Sequence, residues 1–193
     1  MLAPDGGFRP AASKFFGSPA APGKIAPMAG VGMSAEEGKR ALLRHAAATV
    51  AYRGGKALRG APPGFSDFRA AGASRSAGEI LAHVADLFDW ALSLAEGKEA
   101  WSDSRPGDWE ADVGRFFESL GKFDSRLADP RPVGSSLEKL FQGPVADALT
   151  HVGQIAMLRR LAGAPVKGEN YQRAEIAAGR VGAEQQPPRR EFD

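Results

Sequence analysis

The sequence predicts an all-α protein: a four-helix bundle with an extended N-terminal arm and a short C-terminal helix. Three observations lead to this prediction. Serine followed three residues later by glutamate, the capping-box pattern of a helix N-terminus, occurs at Ser34, Ser76 and Ser135. Apolar residues recur at spacings of three and four, as they do on one face of an α-helix. No segment has the alternating polarity or the Asn-Gly turn that is typical of β-hairpins.

The first part of the chain, residues 1–33, is rich in glycine, proline and alanine but also carries large apolar side chains. Disordered tails contain few such residues, so we expect an arm laid over the domain surface. The large apolar residues are Phe8, Phe15, Phe16 and Ile25. Residues 34–165 are expected to form the bundle domain. Residues 166–193 are expected to form a C-terminal extension, with a short helix over about 171–180 and then a frayed tail.

The first three bundle helices follow from their start and stop signals. The capping serines predict helices over about 34–58 and 76–96, the second of which is stopped near Gly97. Asp108 opens the third helix, which has an apolar seam at alternating spacings of four and three. The seam consists of Trp109, Val113, Phe116, Leu120, Phe123 and Leu127.

The fourth helix is expected to begin at Pro144, because the fixed φ of proline suits the first helical position. It should end at Gly163, with Pro165 blocking any continuation. The capping box at Ser135 is expected to open a separate helical turn, since Gly143 and Pro144 would break a continuous helix.

Composition excludes several classes of function. Net charge is only +2, from 25 basic and 23 acidic residues, and the basic pairs are scattered, so nucleic acid is not an expected partner. The chain has no cysteine, which excludes disulfides, thiolate zinc sites and a cysteine nucleophile. Neither a membrane span nor a signal peptide is evident, and a cytoplasmic protein is expected. Phosphate-binding glycine loops, the His-Glu-x-x-His motif and the Gly-x-Ser-x-Gly elbow are missing as well.

Three polar residues lie on helix stripes that should face the core. His83 lies in the middle of an apolar stripe of the second helix, and Asp147 and His151, four residues apart, share a face of the fourth. Bundle metal sites are built from inward side chains on facing helices, and two imidazoles with a carboxylate suit zinc, nickel, iron or manganese. Two structural alternatives remain open: a histidine bonded to the backbone, and a buried Asp147–His151 pair.

The fourth helix resembles the last bundle helix of the DinB/YfiT-like superfamily. That family has a histidine, three residues, a second histidine, one residue and then Gly-Gln, with an arginine and a Gly-x-Pro ending downstream. Residues 147–165 follow this pattern, and the segment Gly78-Glu-Ile-Leu-Ala-His83 resembles the family segment with the first ligand histidine. The similarity covers about residues 36–165. It implies a four-helix bundle with a long connection between the second and third helices, here 97–107.

The resemblance also implies a set of site residues. His83 and His151 match ligand histidines, and Asp147 stands where the family has the other histidine. That departure keeps the site competent but lowers its charge by one, and it leaves open that Asp147 only orients His151. Val152 replaces a common arginine. Gln154 matches the family, with a helix-packing role slightly favoured over hydrogen bonding to the site.

The third histidine, His45, is a weak candidate for a proton carrier or fourth ligand, and a structural or exposed histidine is the favoured interpretation. The three tryptophans are expected to anchor core and loops rather than to form a substrate box. They are Trp90, Trp101 and Trp109.

Two readings of function follow. The first is a divalent-metal-dependent enzyme, with zinc or nickel favoured over manganese or iron. Family members of assigned function include S-transferases and isomerases that use low-molecular-weight thiols. The resemblance therefore implies an S-transferase acting on a small-molecule substrate with such a thiol, or a hydrolase. The second is a non-catalytic metal-binding or stress-associated bundle in which Asp147 and His151 are structural. A homodimer is compatible with both.

Overall fold

The computed structural model of the chain describes residues 33–192. This part is mostly helical, and four packed helices confirm the predicted fold class. The predicted N-terminal arm lies, apart from Met33, outside the described residues. No helix within 33–192 combines the length and the apolarity that crossing a membrane would need.

The first two long helices begin where the capping boxes predict. Helix α1 spans Ala35–Leu58 and helix α2 spans Ala77–Ala95. Ser34 and Ser76 are their N-caps, and in each case the glutamate three residues on bonds back to the backbone N–H of the serine. Helix α3 (Trp109–Ala128) begins after Asp108, whose carboxylate accepts two backbone N–H bonds from the first turn.

A glycine within α1 marks a close helix contact. A Cβ at Gly54 would lie 2.5 Å from Cζ of Phe116 on α3, closer than packed carbon atoms can approach. Gly54 therefore costs helix propensity but lets the ring of Phe116 pack directly on the α1 backbone. The next residue, Gly55, is similarly close to α3, since a Cβ there would lie 3.2 Å from Cζ of Phe117.

The predicted break before the fourth helix is wrong. Helix α4 (Leu137–Leu140) continues through a π-helical turn (Phe141–Val145) directly into helix α5 (Ala146–Leu161). Proline cannot donate the usual backbone hydrogen bond, and the wider π turn carries the chain past Pro144 without ending the helix. The N-cap is also shifted by one residue, because Ser136 rather than Ser135 accepts the backbone N–H of Lys139, at 3.3 Å.

The helices pack so that each long helix has two neighbours. Helix α2 packs against α3 and α5, and α1 packs against the same two helices. Between them lies a core of large, fully buried side chains, among them Phe88, Phe116, Phe123, Leu120 and Ile155. The direct α2–α5 contact matters most for the site, because all three candidate ligands lie on these two helices.

The C-terminal extension is more ordered than its sequence indicates. The short helix is a single 3₁₀ turn (Tyr171–Arg173). The predicted frayed tail contains a strand: β2 (Glu191–Phe192) pairs antiparallel with β1 (Gly168–Glu169). Lys56 of α1 lies between Glu169 and Glu191, with ion pairs of 2.8 and 2.7 Å, and so fixes both strands to the bundle.

Candidate metal centre

Helices α2 and α5 bring His83, Asp147 and His151 together. One ligand atom from each residue lies within 4.8 Å of the others, a grouping that could hold a metal ion. The rings of His83 and His151 are nearly perpendicular, with centroids 4.7 Å apart. Asp147 and His151 lie on one face of α5 because they are four residues apart, and the packing of α5 against α2 brings that face to His83.

The carboxylate of Asp147 lies between the two imidazoles without a normal hydrogen bond to either. Its Oδ1 is 3.5 Å from Nε2 of His151, and its Oδ2 is 3.7 Å from Nε2 of His83. Hydrogen bonds between nitrogen and oxygen are usually about 2.7–3.2 Å long. Two ligands bound about 2.1 Å from a tetrahedral zinc ion lie roughly 3.4 Å apart. The observed separations are thus closer to those of two ligands of one ion than to those of a hydrogen-bonded pair.

The three side chains differ in exposure. Those of His83 and His151 are mostly buried, 16% and 13% exposed, whereas that of Asp147 is 47% exposed. The expectation that all three face the core is therefore met only in part: the side chain of Asp147 is half exposed, although His151 on the same face of α5 is mostly buried. The grouping is open on the carboxylate side, as a site that admits water or substrate requires.

His83 is held in its neutral form. Burial lowers the pKa of His83 below its ordinary value, and the charge of Arg75 and the proximity of His151 act in the same direction, while Asp147 opposes them. Its Nδ1 is buried and has no hydrogen-bond partner among residues 33–192. Only a neutral imidazole has a lone pair for a metal, so the ring of His83 is in the state that coordination needs.

His151 is oriented by a neighbour one turn along the helix. Its Nδ1 lies 2.9 Å from Oε1 of Gln154, which leaves Nε2 directed toward Asp147. The favoured packing role for Gln154 is wrong, since its side chain is exposed and bonds to the site residue. Metal-binding histidines commonly donate their second ring N–H to an oxygen in this way.

Trp101 lies over the outer side of His83. The two rings make an edge contact with centroids 5.6 Å apart, and Trp101 also contacts Trp90 at 5.9 Å. Trp101 belongs to the 97–107 connection, which is fixed to α2 by Asp86. The carboxylate of Asp86 accepts hydrogen bonds from the backbone N–H and the hydroxyl of Ser104, at 2.8 and 2.7 Å.

His45 is not part of the centre. It is exposed on α1, outside the grouping of His83, Asp147 and His151. Trp90 and Trp109 are partly buried and pack against the core, in line with the expected anchoring role. Trp101 departs from it, being 48% exposed and placed at the candidate site.

Two cavities flank the grouping, one beside each histidine. A cavity of about 420 Å³ on the His83 side is lined by polar residues, including Glu79 and Asp103. A groove of about 640 Å³ on the His151 side is lined by Ile80 of α2 and by both apolar and polar residues of α5, among them Met157 and Gln154. Ser74 and Arg75, from the segment before α2, line both.

Sequence reasoning missed Arg75 and Trp101. Both lie in connections without periodicity, so no pattern placed them near the histidines. The only signal for Arg75 is its position immediately before the capping residue Ser76, which puts it at the beginning of α2.

Comparisons of the chain with protein-family models, curated proteins and solved structures gave no match in any of the three.

Proposed function

We propose that this chain is a DinB-like helical bundle that binds one divalent metal ion at His83, Asp147 and His151 and uses it in enzyme catalysis. The observation that carries the proposal is the position of the Asp147 carboxylate, between two imidazoles at 3.5 and 3.7 Å and open to solvent. A purely structural Asp–His pair would be expected to form a shorter hydrogen bond.

The donor set favours zinc or nickel, with manganese and iron as further candidates. Two imidazole nitrogens are borderline ligands that suit zinc and nickel, and one carboxylate does not shift the preference far toward harder ions. Three protein ligands leave at least one position for water or substrate.

The residues around the grouping support a catalytic centre. A bound divalent ion would lower the pKa of a coordinated water or thiol, which makes either a nucleophile near neutral pH. Gln154 holds the ring of His151 in one orientation, and burial keeps His83 unprotonated. Trp101 makes an edge contact with His83 and shields part of that ring.

The proposed reaction is transfer of a low-molecular-weight thiol to a small-molecule electrophile. Hydrolysis is the second-ranked alternative. Thiol transfer is supported by the resemblance of residues 78–83 and 147–165 to DinB-like segments. The chain contains no cysteine, so the thiol would arrive as a co-substrate.

The first test is the metal content of the purified chain without a histidine tag, measured by plasma mass spectrometry. We expect about one ion per chain after reconstitution, and loss of that ion in an Asp147→Ala, His151→Ala double variant. His45→Ala is the matched control, because it removes an exposed histidine outside the grouping and should keep full occupancy.

The alternative function gives a different result. If the wild-type chain binds no zinc, nickel or manganese after reconstitution, the metalloenzyme proposal is wrong and Asp147 and His151 are a structural pair. If it binds an ion that thiols and water analogues such as azide cannot reach, the centre is non-catalytic.

A further inference from the structure

The groove beside His151 has an unusual distribution of charge. One wall consists of apolar side chains, Ile80 from α2 and Met157, Leu158 and Leu161 from α5. Among the described residues that line it, Arg75 is the only one with a lysine, arginine or carboxylate side chain. Met157 and Leu161 are each 55% exposed, which is unfavourable for large apolar side chains unless a ligand covers them.

Arg75 is available to a ligand. Its side chain is exposed, and no hydrogen bond or ion pair joins it to another residue within 33–192. A hydrogen bond from Arg69 and, to a lesser extent, the charge of Arg75 lower the pKa of Glu79, but Arg75 forms no ion pair with that carboxylate. Its neighbour Arg69, by contrast, is paired with Glu79 at 2.8 Å. Arg75 lies close enough to the centre to lower the pKa of His83 by its charge.

These observations point to a ligand with two parts. An apolar chain or ring would cover Ile80, Met157 and Leu161, and an anionic group would pair with Arg75. The groove volume of about 640 Å³ lies within the range of roughly 300–1,000 Å³ that is usual for small-molecule sites. A cationic ligand would be repelled by Arg75, and a neutral one would leave the guanidinium without a partner.

We propose that the groove binds a carboxylate attached to an apolar group, and that Arg75 selects the carboxylate while α5 binds the apolar part next to His151. This assigns a substrate class to the same centre and rests on the proposed function for its chemistry. The binding step itself uses only Arg75 and the apolar wall, so it can be tested without the ion.

The test compares three ligands of equal shape by titration calorimetry: 4-phenylbutyrate, 4-phenylbutanamide and 4-phenylbutylammonium. With metal-free protein, we expect the carboxylate to bind about fivefold to tenfold more tightly than the amide, as one charge-assisted pair can supply. The ammonium compound should bind most weakly.

Two kinds of variant test the two parts of the groove. Arg75→Gln should abolish the preference for the carboxylate over the amide, and Met157→Gln should weaken all three ligands. Both residues are exposed, so the fold should be kept, which circular dichroism can verify. Arg160→Gln is the matched control: it removes an exposed arginine of α5 that does not line the groove, and the preference should persist.

The inference is overturned if the carboxylate and the amide bind equally, or if the preference survives Arg75→Gln. It is also overturned if the carboxylate binds only zinc-loaded protein and Arg75→Gln has no effect, because the ion alone would then hold the anion. A carboxylate preference in a chain that binds no metal would support this inference while the proposed function fails.

Discussion

Gln154 lies one helical turn after His151, and a hydrogen bond of 2.9 Å joins its Oε1 to Nδ1 of that histidine. The bond fixes which ring nitrogen of His151 faces Asp147. It also connects the proposed ligand set to an exposed residue that can be replaced without disturbing the core.

Replacing Gln154 with leucine should weaken zinc binding by about tenfold or more, since the orienting partner of a ligand histidine commonly contributes this much. Gln154→Glu should keep the affinity, because a carboxylate accepts the same hydrogen bond. Competition with a chromophoric chelator measures both. Gln172→Leu is the control, an exposed substitution away from the centre that should leave the zinc affinity unchanged. An unchanged affinity in Gln154→Leu would show that the hydrogen bond from Gln154 does not fix the orientation of the His151 ring.

The stability of the metal-free protein should decrease as the pH falls below about 6.5, the ordinary pKa of histidine. Burial lowers the pKa of His83 in the folded state, so the unfolded chain takes up that proton first and is favoured by acid. The loss should level off below the folded-state pKa. Urea unfolding at a series of pH values between 7.5 and 5 would measure it.

His83→Leu should remove this part of the pH dependence, because it removes the titrating group while keeping an apolar side chain. His45→Leu is the control, since His45 is exposed and its replacement should leave the dependence as in the wild type. If stability depends on pH equally in the wild type and in His83→Leu, His83 is not the group responsible for this pH dependence.

Asp86 should be the most important polar residue of the core. It is 1% exposed, bonds to Ser104 twice and pairs with Arg115. Asp86→Ala should lower the free energy of unfolding by about 2 kcal/mol or more, because the backbone N–H and the hydroxyl of Ser104 lose their acceptor and Arg115 keeps only its more exposed partner Asp89. Ser104→Ala should cost about 1 kcal/mol.

Asp89→Ala is the matched control for Asp86. Asp89 pairs with the same Arg115 at 2.7 Å but is 39% exposed. Asp89→Ala should therefore lower the free energy of unfolding much less than Asp86→Ala does. Equal losses for the two variants would mean that burial does not set the strength of these pairs. Tryptophan fluorescence should also shift in Asp86→Ala, since the 97–107 connection would lose its attachment at Ser104 and Trp101 would be held less firmly.

Lys56 should stabilise the C-terminal strands. It is 12% exposed and pairs with Glu169, whose side chain is fully buried and also accepts the hydroxyl of Tyr52 at 2.7 Å. Lys56→Met should cost about 3 kcal/mol of unfolding free energy, because Glu169 would keep its charge with one partner fewer. Urea unfolding measures the loss.

Lys39→Met serves as the comparison for Lys56. Lys39 pairs with Glu138 at 2.6 Å, but both side chains are more than half exposed, so no measurable change is expected. If Lys56→Met also left the free energy of unfolding unchanged, the ion pairs of Lys56 with Glu169 and Glu191 would not stabilise the strands.

Much of the fold follows from local signals in the sequence. The caps at Ser34, Ser76 and Asp108 each satisfy backbone N–H groups of the first turn, and such bonds depend only on residues close in the chain. The grouping of His83 with Asp147 and His151 follows from helical spacing and the expectation that apolar stripes face each other.

The features that could not be predicted depend on contacts between residues distant in sequence, or on tertiary packing that overrides a local signal. The π turn at Pro144 is held by packing on both sides, which overrides the usual effect of proline. The pairing of Glu191 with Glu169 needs Lys56 between them, more than a hundred residues earlier in the chain. Trp101 reaches His83 because Asp86 and Ser93 of α2 bind the connection between α2 and α3 at Ser104 and Ala100.

The exposure of Asp147 has a consequence for how an ion would be held over time. A centre enclosed on all sides releases its ion only when the fold opens, whereas a solvent-facing carboxylate can exchange for water one bond at a time. An ion bound here would therefore equilibrate with its surroundings without unfolding of the bundle. Its occupancy would follow the concentration of free metal in the medium, and a chelator could remove it from a chain that stays folded.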